Sequence, residues 1–427
     1  MSILNAMYAG VSGLDAEGEA LGVIGNNVAN SNTVGFKQSR AVFENVMGSA
    51  IGDPNAIGAG VRMDRAQQIF AQGSMLNTGQ ATDLAISGDG FFVVHGNVDG
   101  ETGDFYTRAG QTSLDKNGTL VNPDGLALQG YKMLPSGQLS SQIGSLTLQT
   151  AALSPKPTTA LNVTANLDAN ATPPATPWDP QNPATTSNFS TTLTAYDSLG
   201  NSHQLSVYFE NTGTNSWNYH EVANGGEVQG GTAGQNVEFG SGTMTFNSNG
   251  ALQAVTPTGG SVTFNGAQAQ TIGLNLGTPI AGGGTGLDGA TQFGNPSVVS
   301  SQGQDGYGSG DLSGVKIGQD GTVSGVYTNG QTVAVGQLAV AKFASNDNLA
   351  QAGNNVWAAT QGSGDPALGA AGGGGRGAIV TGSLEQSNVD IAAQFVDLIA
   401  HQRSFQASSK TITTAYQMLQ DLMQLKQ

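Results

Sequence analysis

The chain has 427 residues, carries a formal net charge of −16, contains no cysteine, and is only 10% charged while 64 of its residues are glycine. An acidic balance sets aside nucleic acid and anionic membranes as partners, and the missing thiols exclude disulfides, thiolate metal sites and cysteine nucleophiles. The length leaves room for roughly two to four domains. A charge content well below the usual ~25% with so much glycine reads as turn-rich β structure with a polar, uncharged surface. No apolar run approaches the ~18 residues that span a bilayer, so membrane insertion is not expected. The first basic residue is Lys37. No positive region therefore precedes an apolar core as in a secretory signal, and the chain is expected either to stay in the cytoplasm or to leave by another route.

The first stretch places Leu4, Met7, Val11, Leu14, Gly18, Leu21, Gly25 and Val28 at alternating steps of three and four. That spacing predicts a helix with one narrow apolar seam. Gly10, Gly13, Gly18, Gly22 and Gly25 each cost ~1 kcal/mol against alanine, so the helix needs a partner that packs closely. Asn26-Asn27-Val28-Ala29-Asn30 through Gly35-Phe36-Lys37 then reads as a helix end and polar turns. Residues 48–60 read as a loop. From about Gln72 the pattern becomes β, with Phe91-Phe92-Val93-Val94 as an apolar run and Asn117-Gly118 and Asp124-Gly125 as turns.

Near Pro155 the texture changes. Seven prolines between Pro155 and Pro183 mark an irregular crossing into another domain. Thr191–Tyr196 and Gln204–Phe209 flank Asp197-Ser198-Leu199-Gly200-Asn201 as a hairpin, and further strands are expected around 237–239, 244–246, 262–264 and 272–276. Between Lys156 and Lys316 there is no Lys or Arg. After Gln304-Asp305-Gly306-Tyr307 the earlier β pattern resumes. Gly372–Gly375 reads as a linker to the last element.

That element is a helix from Asp390 to Lys426, with Ile391, Phe395, Leu398, Gln402, Phe405, Ser409, Ile412, Tyr416, Leu419 and Met423 along one seam. Ser387 and Asp390 have the spacing of a capping box. The fold class expected is multi-domain α+β: paired N- and C-terminal helices of coiled-coil type and two nested, mainly-β domains. The partition is residues 1–30 with 388–427 as terminal helices, 31–71 with 366–387 as connecting loops and linker, 72–154 with 300–365 as a discontinuous β domain, and 155–299 as an inserted acidic β domain.

No catalytic constellation is legible. The single G-x-G-x-x-G, Gly284 to Gly289, is not followed by a helix, so it lacks the dinucleotide-binding context. The four histidines are far apart in sequence and read as solvated or singly hydrogen-bonded. Asp115-Lys116-Asn117-Gly118 lacks most ligands of a calcium loop and reads as a turn. No cofactor or metal is expected. A Ser-His-Asp site assembled only in three dimensions stays open.

Several stretches resemble the bacterial flagellar axial rod and hook family. They are Asn26 to Lys37, with Asn26, Asn27, Asn30, Gly35, Phe36 and Lys37 as its signature, then Ala85–Val94, Tyr106–Gly110, Leu128–Tyr131, Leu384–Asp390, Gln402–Ala407 and Met418–Gln420. Phe189–Thr191, Tyr196–Asn201 and Gln304–Tyr307 are similar to the hook branch, which carries an inserted outer domain that the distal rod subunit lacks. Ser408 departs from the family's frequent Asn. The resemblance implies a non-enzymatic structural subunit, exported by the flagellar type III route without a cleaved signal and polymerised into a curved extracellular tube that joins rod to filament. Implied partners are copies of the chain, the rod on the proximal side, and cap and hook–filament junction proteins on the distal side. The assembly seams would be Leu4, Met7, Val11, Leu14, Leu21 and Val28 on the first helix, and Ile391, Phe395, Leu398, Phe405, Ile412, Tyr416, Leu419 and Met423 on the last. A distal rod subunit is the alternative within the family, and a secreted β-rich adhesin or enzyme the alternative outside it.

Overall fold

A computed structural model describes residues 3–47, 58–148 and 151–424. Most of the loop expected over residues 48–60, and Lys426, lie outside them. Helix α1 spans Ile3–Ala29 and helix α2 spans Ile391–Gln424, about 51 Å at 1.5 Å per residue. The chain divides into two compact units. The first comprises Met1–Thr150, Gly314–Val326 and Thr332–Gln427; the second comprises Ala151–Ser313 and Tyr327–Gln331.

The start of α2 corrects one expectation. Asp390 is itself the N-cap: its carboxylate accepts the Ala392 and Ala393 amides at 2.9 and 3.2 Å. An anion there also suits the positive end of the helix dipole. The Ser387 hydroxyl accepts the Val389 amide instead, so the two residues do not form a capping box.

In the first unit, sequence-distant strands share one sheet. Thr332–Lys342 pairs antiparallel with Thr322–Tyr327, with Ala127–Met133 and, at Val340 and Ala341, with Phe92 and Phe91. Strands from before and after the second unit in sequence thus interleave in one sheet. Phe91, Val93, Tyr106, Ala341, Phe343 and Trp357 form a core. Its rings meet edge to face, with Tyr106–Phe343 centroids 4.7 Å apart and Phe91–Trp357 5.7 Å apart.

Two segments expected as connecting loops carry strands. Strand β1 (Ser39–Asn45) pairs antiparallel with β2 (Val61–Gln68). Further on, Ala367–Ala370, Ala378–Thr381 and Ser383–Glu385 pair with Thr332–Lys342, Leu84–Ser87 and Met75–Asn77 respectively. Gly372–Gly375 is no linker but a tight reversal, closed by the Gly372 amide on the Gly377 carbonyl at 2.9 Å. Glycine supplies tight turns and loose linkers alike, and composition does not separate them.

The second unit holds a five-stranded antiparallel meander of Phe189–Tyr196, Ser202–Gly213, Ser216–Asn224, Asn236–Phe246 and Leu252–Gly259. Ala160–Asp168 leads a second sheet, with Gly273–Asn275 and Thr291–Phe293 parallel to it and Val298–Gln304 antiparallel. Alternate residues of both sheets, among them Leu161, Val163, Leu205, Val207, Phe209 and Trp217, enter one apolar core, which Phe264 joins from outside them. The expected strands at 237–239 and 244–246 are two ends of a single strand.

The hairpin at Asp197–Asn201 forms as expected, and Asp197 is fully buried in it. Burial alone raises the pKa of this carboxyl, but hydrogen bonds from the Asn201 side chain, His203 and the Asn201 and Leu199 amides outweigh it and hold the pKa below the ordinary value. The resulting stabilisation is complete above the ordinary carboxylate range and is lost as pH falls through the lowered folded value. Asp197→Ala should therefore cost the second unit ~2–4 kcal/mol at pH 7, and much less near pH 2, in denaturant unfolding of the full chain. An equal cost at both pH values would contradict this role.

Candidate assembly interface

Helices α1 and α2 pack antiparallel. Gly10 faces Ile412, Gly13 faces Ser408, Glu17 meets His401, and Asn27 meets Gln394. The approach is close. A Cβ added at Gly10 would lie 2.8 Å from Ile412 Cγ1, and one at Gly13 would lie 2.9 Å from Ser408 Oγ. At Gly18, Gly22 and Gly25 nothing lies within 4 Å.

The face that meets the partner helix lies one residue before the row read from sequence. On α1 the buried positions include Gly10, Gly13, Ala20, Ile24 and Asn27 rather than Val11, Leu14, Leu21, Gly25 and Val28. On α2, Leu398, Ile412 and Leu419 are shared with the expected row and are half-buried. The companions facing α1 are Gln394, His401, Ser408 and Ala415, in place of Phe395, Gln402, Ser409 and Tyr416. Close-packed helices select the smallest side chains at their contact, whereas a hydrophobic ranking selects the largest.

The large apolar residues are left outward. Leu4, Tyr8 and Val11 on α1, and Ile391, Phe395, Phe405, Tyr416 and Met423 on α2, are exposed. So are Val396, Ile399 and Met418. Met7, Leu14, Leu21 and Val28 are half-buried. So much exposed apolar surface on a helix marks an interaction face.

Several polar residues of the helix pair are partnered. His401 Nδ1 lies 2.5 Å from Glu17 Oε2. Asn27 is buried and donates to Gln394 Oε1 at 2.9 Å and to the Ser39 carbonyl at 2.7 Å, while its own oxygen accepts the Ser39 amide. One side chain therefore ties α1, α2 and β1 together. Asn30 donates to Asn26 at 3.0 Å and accepts from Thr33.

Just beyond lies the most demanding site in the unit. Lys37, fully buried, donates to Glu385 Oε1 at 2.5 Å and to the Ala71 carbonyl at 2.8 Å. Arg108 Nη1 donates to Glu385 Oε2 at 3.1 Å, and Nη2 to the Gly88 carbonyl at 2.8 Å. The Arg108 guanidinium also lies 5.4 Å from the centroid of the Phe91 ring, a cation–π contact. Gly35 closes the corner with φ +70; a Cβ there would lie 2.5 Å from the Ala109 amide nitrogen, and its own amide donates to the Glu385 carbonyl. Burial pulls the Lys37 pKa below its ordinary value, and the Glu385 charge opposes that shift. Of the signature residues, Gly35 and Lys37 meet at Glu385, Phe36 is half-buried between them in the chain, and Asn27 is tied instead to Gln394 and Ser39. Sequence reading missed Arg108 and Glu385 as partners of Lys37. Both lie in stretches that carried the family resemblance, Tyr106–Gly110 and Leu384–Asp390, but beyond the scarcity of charge nothing in sequence paired them with Lys37.

Among the described residues no cluster of His, Asp and Glu is arranged to hold a metal ion, and no helix is long and apolar enough to cross a membrane. Each histidine lies beside a carboxylate. His95, His220 and His401 each make one side-chain hydrogen bond, as the sequence reading expected, whereas His203 lies between two carboxylates, Glu227 at 2.7 Å and Asp197 at 3.2 Å, and departs from it.

Comparison with known proteins agrees with this arrangement. Residues 7–37 match the family described as Flagella basal body rod protein, and 380–425 match Flagellar basal body rod FlgEFG protein C-terminal. Residues 85–165 match the Flagellar hook protein FlgE/F/G D1 domain, and 166–307 the Flagellar basal body protein FlaE D2 domain. The chain is 38% identical over 427 residues to the flagellar hook protein FlgE of Salmonella typhimurium, with 97% of this chain and 98% of that protein covered. The chain belongs to the flagellar hook protein FlgE family. The FlgE of Escherichia coli is 36% identical, with 99% of this chain and 100% of that protein covered. The crystal structure of Helicobacter pylori FlgE2 shares the fold, with a TM-score of 0.54 at 15% identity over 73% of this chain and 100% of that one. Like its relatives, this member of the family is a structural protein of the flagellum.

The buried triad orders its own variants. Glu385→Gln leaves two dry cations without an anion and should cost ~3–5 kcal/mol. Lys37→Met leaves a matched Arg–Glu pair and should cost clearly less. Because the folded pKa of Lys37 lies below the unfolded one, its burial cost is present at neutral pH and is relieved as pH rises through that lowered value. The alkaline gain in stability should vanish in Lys37→Met. Denaturant unfolding of the full chain checks both, and a costlier Lys37→Met would contradict the charge count.

Proposed function

We propose that copies of this chain polymerise into a curved, flexible tube that acts as a universal joint, passing torque from rod to filament. The observation that carries the reading is the outward apolar row of α2, Phe395, Val396, Ile399, Phe405 and Tyr416, which one chain does not cover. A neighbouring copy supplies the matching helix surface, so the row acts as the seam between subunits in the tube. The division into terminal helices (residues 1–30 with 388–427), a discontinuous β domain and an inserted acidic β domain (155–299) belongs to this proposal. In it, the acidic domains meet their neighbours through polar, weakly charged surfaces that slide as the tube turns while curved.

The proposed neighbours are the rod at the proximal end and cap and junction proteins at the distal end. Export runs through the flagellar type III apparatus. Glycine-rich α1, costly to hold as an isolated helix, suits passage as an unfolded chain and gains order on docking.

Negative-stain microscopy tests the reading. The full chain should form curved tubes; straight short rods would favour a distal rod subunit, and monomers only would sink the proposal. A chain lacking residues 1–30 and 388–427 should form no tubes. Phe395→Asp with Ile399→Asp should keep the monomer's β-sheet circular dichroism and abolish polymerisation. Tubes formed by that variant would show that the row is not the seam.

A further inference from the structure

Glu221 stands apart from every other acid in the second unit. It is 3% exposed, on the Ser216–Asn224 strand, between Tyr219 and Ala223 on the side that enters the apolar core. Its cross-strand neighbours on that side are Val207 and Gly240. The glycine makes room for it: a Cβ at Gly240 would lie 3.1 Å from the Glu221 carboxyl carbon. Among the described residues Glu221 Oε1 has no hydrogen-bond partner.

No cation is available to it. Residues 157–315 contain no Lys or Arg, and Lys156 is engaged with Asp305 at 3.1 Å. The titratable group facing Glu221 is Tyr219, whose pKa is pushed up to about 12 by burial first and by the Glu221 charge second. On the opposite face of the same strand His220 lies 3.0 Å from Glu238 and 3.6 Å from Glu210, and stacks on Trp178. The pairing with Asn236–Phe246 breaks register at Glu221, which opposes Gly240 while Val222 opposes Glu238, so Phe239 is left as the extra residue of a bulge.

We propose that Glu221 makes the second unit's sheet proton-dependent: as a neutral acid it seals the core beside the Phe239 bulge, and on ionising it opens the seam between Ser216–Asn224 and Asn236–Phe246 to water. An isolated carboxylate in an apolar core is costly, so the group stays neutral or the core lets water in. Burial accordingly raises its pKa to about 7. With the folded pKa above the unfolded one, the folded state binds the proton more tightly. Stability is then fullest below the ordinary carboxylate value and is lost as pH rises through the folded value. The device places a near-neutral pH response of the second unit at one residue and one seam.

Amide hydrogen exchange of the full chain, corrected for the intrinsic pH dependence of exchange, reads the opening of residues 216–224 and 236–246. Protection should fall on the order of 100-fold from pH 5 to pH 8, and Glu221→Gln should flatten the change. Wild-type protection that does not change with pH would overturn the proposal. So would a Glu221→Gln variant with the full change, which would assign it to His203 or His220. Should Glu221→Gln fail to fold, the carboxyl ¹³C shift of Glu221 in the wild type decides: a midpoint near 7 supports the proposal, and an ordinary carboxylate midpoint overturns it.

Discussion

The first unit depends on one carboxylate. Glu385 sits between Lys37 and Arg108 in a site closed to water, and its oxygens also accept the Gly73 amide. Two cations on one anion are tolerable there only because carbonyls of Ala71 and Gly88 and the Phe91 ring share the excess charge. Lys37 lies just after α1 and Glu385 just before α2. The β body, the exit of the first helix and the entry of the last are therefore fixed by a single ion cluster. Asn388 repeats the tie, accepting the Gln38 amide and donating to the Ile69 and Ala71 carbonyls.

With both roots held, the helices are brought together antiparallel, and side-chain size then decides which faces meet. Gly10 and Gly13 let Ile412 and Ser408 approach closely, and Ala20 and Ala415 are buried with them. The bulky row of α2 is turned outward as a consequence of that choice. In the proposed tube, cohesion within a chain and adhesion between chains use different faces of one helix.

The sequence carried the β pattern well where turn chemistry and alternation agree, as at Asn117-Gly118 and across Asp197–Asn201 in its hairpin. It carried the existence of both helices because the three–four spacing is long and regular. The facing row was not legible, since periodicity is unchanged when a seam shifts by one residue and only packing distance breaks the tie. The strands at 367–370, 378–381 and 383–385 were hidden for another reason: the glycine-rich connection among them imitates a linker, and the partners of the last two lie about 300 residues away. Glu221 was equally silent, because a lone acid in a strand shows neither its facing side nor its lack of a counter-ion until the sheet is formed.

In the proposed tube the outward row of α2 is the seam between copies, while the small-residue row belongs to the chain's own helix pair. The absence of native cysteine makes a single thiol a clean probe. Phe395→Cys should react rapidly with a maleimide in the unassembled chain and be protected at least ~10-fold in the assembled tube, as burial in an interface requires. Equal reactivity in both states would contradict the account.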